Sequence, residues 1–134
     1  MMNVFIVEDS EAMRESLRSM LSEFHTVRIV GYAADEMDAV EQINALLPDV
    51  VILDLNLQSG SGVAVLKNIK KRHGEIKVMV LTNCNGELYV DACKRANADY
   101  FFDKSFQFMQ VREVFWNWEH AGHPDNKLDG RLPC

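Results

Sequence analysis

No apolar run in this sequence approaches the roughly 18 residues that a membrane-crossing helix needs, so no membrane association is expected. Cysteine is scarce: Cys84, Cys93 and Cys134 are odd in number and lack the spacing of metal ligands. That excludes a disulfide framework and predicts free thiols. Positive charge is also short, with 14 Lys and Arg against 20 Asp and Glu and a net charge of −6. A chain so acidic gains nothing from a nucleic-acid backbone, and its densest basic patch, residues 67–72, fits one solvated helix end. The first residues have no basic flank and too short an apolar stretch for a secretory signal, which argues for a cytoplasmic protein. His25, His73, His120 and His123 are scattered and bring no pair together for metal binding or catalysis.

What is present is a chain of 134 residues, enough for one sizeable core and too short for two. Short β-branched runs alternate with longer amphipathic stretches. Residues 4–7, 27–32, 50–53, 78–81 and 100–102 read as strands, and the continuous apolar run at 50–53 suits a central parallel strand covered on both faces. Between them, Ser10 caps a helix with Met13, Leu17, Met20, Leu21 and Phe24 on one face, and Asp35 caps a helix carrying Val40, Ile43 and Leu47. Further helices are expected from Val63, Leu66 and Ile69, over 87–95, and over 106–118. Five strands alternating with five helices define an α/β fold: a doubly wound, five-stranded parallel sheet with helices on both faces. Residues 1–119 form this domain, and 120–134, poor in apolar residues, read as a flexible C-terminal tail.

In such sheets function gathers at the carboxyl ends of the strands. There the sequence puts Glu8 and Asp9 after strand one, Asp54 after strand three, Thr82 after strand four and Lys104 after strand five. Any one of these is usually a solvated strand end, but together they form a crevice of three carboxylates, a hydroxyl and an ammonium. Carboxylates so close repel one another and raise at least one pKa unless a cation relieves them. Mg²⁺ suits oxygen ligands while leaving room for a phosphate. The set supports phosphoryl transfer, in which one carboxylate attacks phosphorus and Lys104 and Thr82 contact the transferred oxygens.

Glu8-Asp9, Asp54 after Val-Ile-Leu, Thr82 after Val-Leu and Lys104 after an aromatic strand resemble the receiver domain of two-component response regulators, over residues 3–118. The resemblance implies the flavodoxin-like receiver fold, with Asp54 as phosphoacceptor. It implies Mg²⁺ held by Glu8, Asp9, Asp54 and the backbone carbonyl of Asn56, with Glu8 acting through water. Lys104 pairs with the phosphoryl group or with Asp54, Thr82 moves to bind a phosphoryl oxygen, and Phe101 takes the position of the family's switch aromatic. The implied partners are a sensor histidine kinase or a histidine phosphotransfer protein, and a downstream protein or second copy of the chain.

Four residues depart from the family pattern. Gln58 and Ser105 stand where proline is common, Asn83 replaces a small residue, and Phe101 has no hydroxyl. The last helix should bury Phe108, Val111, Phe115 and Trp118, leaving Met109, Val114 and Trp116 off the main stripe. Met109 and Trp116 are the candidate partner surface, expected on the face of the fourth helix, fifth strand and last helix. The seven methionines mostly fall at core spacings. With no output domain after Trp118, a stand-alone regulator acting through protein contacts is the first reading. A phosphorelay intermediate or phosphate sink is the alternative. An aspartyl phosphatase of the haloacid-dehalogenase type needs a second aspartate two residues after the nucleophile, where this chain has Asn56, and no enzymatic activity on other substrates is expected.

Overall fold

The structure is a computed structural model and describes residues 1–121. Its elements run β1 (Met2–Val7), α1 (Glu11–Leu21), β2 (Val27–Ala33), α2 (Glu36–Leu46), β3 (Val50–Leu53), α3 (Gly62–Arg72), β4 (Lys77–Thr82), α4 (Glu87–Arg95), β5 (Tyr100–Asp103) and α5 (Lys104–Ala121). The strands form one sheet in the order β2-β1-β3-β4-β5, and all four pairings are parallel.

Alternation along each strand divides the core. Val4, Ile6, Val50, Ile52, Met79, Leu81, Tyr100 and Phe102 face α1 and α5, where they meet Leu17, Leu21, Phe115 and Trp118. Phe5, Val7, Val51, Leu53, Val78 and Val80 face the other way, toward Ile43 of α2, Leu66 and Ile69 of α3, and Cys93 of α4. Every residue of β3 is at most 2% exposed, so truncating Ile52 to alanine costs about 2–5 kcal/mol. Because the chain steps from β1 outward to β2 and then crosses back over β1 to β3, the strand order reverses between β1 and β3, and a crevice opens at their carboxyl ends.

Caps fix where the helices begin. The Ser10 hydroxyl accepts from the Met13 amide and the Asp35 carboxylate from the Asp38 amide, as their positions before the apolar stripes require. Some expectations give way. Val114 is buried, so the inner face of α5 is wider than a single stripe. The methionines follow their core spacings for the most part: Met20 and Met79 are buried and Met2 and Met13 pack against the same core, while Met1, Met37 and Met109 are largely exposed. α5 begins at Lys104 and runs to Ala121, two residues into the stretch read as a tail. The rest of that stretch, with His123 and Cys134, lies outside the described residues. Cys84 and Cys93 are free, and burial pushes the Cys93 thiol up to about 11.

Candidate functional site

Backbone pairing sets the site's floor. The Asp54 amide donates to the Val7 carbonyl at 2.9 Å and the Glu8 amide to the Ala33 carbonyl at 2.9 Å, so both residues sit where their strands leave the sheet. Thr82 is level with Asp103 in the β4–β5 register, which puts Lys104 one residue beyond the same edge. Gly62 permits the close return of the chain: a Cβ there would lie 2.2 Å from the Asp54 carbonyl oxygen and 2.5 Å from Leu55 Cα.

Four of the predicted side chains converge on one carboxylate or beside it. Asp54 is buried; its Oδ1 accepts from the Thr82 hydroxyl at 2.7 Å and the Asn56 amide at 3.2 Å, and its Oδ2 accepts from Lys104 Nζ at 2.9 Å. Lys104 Nζ also lies 2.7 Å from Glu8 Oε1. The other Glu8 oxygen accepts from the Ser10 amide. Glu8 is buried, while Asp9 is exposed at the mouth.

Burial, first, and the nearby Asp54 charge raise the Glu8 pKa; the Lys104 and Ser10 bonds oppose them and lose. The rise expected from crowding is therefore present, but desolvation causes most of it. Lys104 shows the opposite balance. Burial pulls its ammonium down, yet the hydrogen bonds and charges of Glu8 and Asp54 together carry it above its ordinary value.

Glu8, Asp9 and Asp54 each offer a carboxylate oxygen, and the three atoms lie within 4.8 Å of one another. An all-oxygen, triply anionic donor set of that size fits Mg²⁺. Arg14 was not legible in advance. Its guanidinium donates to the Glu8 carbonyl at 2.8 Å and lies 5.1 Å over the Tyr32 ring, bracing the turn that carries the acidic pair.

The Thr82 hydroxyl already faces Asp54, and Glu8 contacts Lys104 directly. Phe101 is half-buried against the α2–α4 side of the core. One expectation about the exposed surface is corrected. Met109 lines a groove with Glu15, Ser16 and Ser19 of α1, so it belongs to the α1 side of α5 and not to the α4 side. Trp116 follows two turns later on the same exposed ridge, its ring stacked on His120. Phe106 on α5 and Leu88 and Tyr89 on α4 are also exposed.

Two departures from the family pattern use the proton that proline lacks. The Gln58 amide donates to the Ala34 carbonyl at 3.1 Å, and the Ser105 amide to Asp103 Oδ1 at 2.7 Å. Among the described residues no peptide bond is cis, so the 104–105 bond is trans.

Residues 4–115 match the response regulator receiver domain family, and the chain belongs to it. Over 123 residues it is 30% identical to protein-glutamate methylesterase/protein-glutamine glutaminase 1 of Methanospirillum hungatei, covering 90% of this chain and 36% of that protein. It is 29% identical to the DNA-binding transcriptional activator DevR/DosR of Mycobacterium tuberculosis, over 98% of this chain and 59% of that one. Among solved structures, the response regulator domain of Thermotoga maritima CheB superposes with a TM-score of 0.77 at 26% identity, covering 94% and 98% of the two chains. A DNA-binding response regulator of the LuxR family from Staphylococcus aureus gives a TM-score of 0.80 at 24% identity, covering 89% and 99%, which speaks to the fold alone. The matched part spans between 20% and 59% of the length of these curated relatives.

Proposed function

We propose that this chain receives a phosphoryl group on Asp54 from the phosphohistidine of a sensor kinase or histidine phosphotransfer protein. The supporting observation is a buried carboxylate with a hydroxyl on one oxygen, an ammonium on the other, and two more carboxylates beside it. In this reading an Asp54 oxygen attacks phosphorus, an oxygen–phosphorus bond forms, and the phosphorus–nitrogen bond of the donor breaks. The electron pair leaves with the donor imidazole, which takes a proton from solvent.

Lys104 and Thr82 already bond to Asp54 and transfer those bonds to phosphoryl oxygens as the charge arrives. Glu8 retains Lys104 Nζ at the site throughout. Glu8, Asp9, Asp54 and the Asn56 carbonyl would hold Mg²⁺, whose charge offsets the repulsion between carboxylates and incoming phosphate. The signal then leaves through protein contacts, for which the exposed α5 ridge of Met109 and Trp116 is the proposed surface.

Incubation with acetyl phosphate and Mg²⁺ tests the acceptor. One phosphoryl group should be added, and Asp54→Asn should abolish it in intact-mass spectra. Undiminished labelling of that variant would overturn the assignment.

A further inference from the structure

The residues on either side of Cys84 are tied to the residues on either side of Lys104. The Ser105 hydroxyl donates to Asn83 Oδ1 at 3.2 Å, and Asn85 Nδ2 donates to Asp103 Oδ2. Two of these four, Asn83 and Ser105, are positions where the chain departs from its family's pattern, and they have departed as a bonded pair. Asp103 also caps α5, accepting from the Ser105 amide through its other oxygen while its own amide donates to the Gln107 side chain.

We propose that Asn83, Asn85, Asp103 and Ser105 form a latch of positioning residues that sets how Thr82 and Lys104 address Asp54; the proposal rests on the phosphoacceptor reading above. The Cys84 amide donates to the Thr82 oxygen at 3.1 Å, while the single Thr82 hydroxyl proton goes to Asp54. A hydroxyl has one proton and a freely turning rotor. An amide donor on its oxygen fixes that rotor and leaves the proton only one direction. Asn83 and Asn85 hold the Cys84 amide in place from both sides. Asp103 and Ser105 do the same for the backbone that launches Lys104.

Asn83, Asn85 and Ser105 are exposed. Their hydrogen bonds compete with water, so they add little to stability. Their effect lies in geometry, where displacements far smaller than a bond length change rates.

The test follows acetyl phosphate labelling of the whole chain with Mg²⁺, beside thermal unfolding. Asn83→Ala and Ser105→Ala should each slow labelling of Asp54 by roughly threefold, the scale of one modest hydrogen bond. The double variant should be no slower than the slower single, because both remove the same bond. Asn85→Ala removes the second strap, and its effect should multiply with either. Ser105→Thr keeps the hydroxyl and should restore the wild-type rate, while Tm stays within about 2 °C throughout. Single variants as fast as wild type, or a double variant equal to the product of its singles, would overturn the latch. If wild type itself takes up no label, the phosphoacceptor reading falls instead, and the latch with it.

Discussion

Glu8 is a carboxylate kept where its charge is costly. Its buried position raises its pKa, which means that the folded state resists its ionisation more than the unfolded chain does. A raised folded pKa adds stability below the unfolded value near 4.5, and that stability is lost as pH rises through the folded value. Glu8→Gln keeps an oxygen for Lys104 and removes the charge. The variant should match wild type in acid and gain on it as pH rises through that window. At neutral pH the variant should therefore be the more stable of the two, with the higher Tm. Thermal melts across the pH range check this; a variant less stable than wild type at neutral pH would contradict it. Cation binding should weaken in the same variant, since stability and function pull on this carboxyl in opposite directions. Lys104 has the reverse role. Its raised pKa gives stability that is present through neutral pH and is lost only as pH rises past its folded value, above 10.5.

Between strand and helix, the joint at Gly62 is the least tolerant part of the site. Its Cβ position is filled by the backbone of Asp54 and Leu55, which cannot yield as a side-chain tip can. Gly62→Ala should therefore cost about 1–3 kcal/mol in denaturant unfolding and slow Asp54 labelling as well, because relieving the clash moves the end of β3. An unchanged midpoint would show that the loop accommodates a methyl group. At this scale the sequence was most informative. Apolar runs and periodicities mark all ten elements, since strand and helix periods follow from backbone geometry. Glu8, Asp9, Asp54, Thr82 and Lys104 could be grouped in advance because parallel topology gathers strand ends. Arg14 and Asn85 could not, because their roles depend on side chains reaching across loops whose path no local pattern encodes. The groove beneath Met109 was likewise hidden, for it depends on how α5 turns about its axis against α1.

For the molecule as a whole, a cation that binds only the folded chain should stabilise it by mass action. Millimolar Mg²⁺ should raise Tm, and Asp9→Ala, which removes a carboxylate with no bonded role in the fold, should reduce the shift. Equal shifts in both proteins would locate the ion elsewhere. On the output side, Trp116→Gln should weaken any phosphorylation-dependent association measured by sedimentation while leaving labelling of Asp54 intact. An unaltered association would remove the α5 ridge from consideration. The sheet also divides the site by origin: the three carboxylates come from β1 and β3, the hydroxyl and the ammonium from β4 and β5. During synthesis the anionic half emerges some fifty residues before its counter-charge, because Lys104 follows Asp54 by that distance in the chain. A nascent or half-docked molecule thus carries three converging negative charges with no ammonium among them. On the proposed phosphoacceptor reading, that set cannot take up a phosphoryl group until β5 docks and brings Lys104 among the carboxylates.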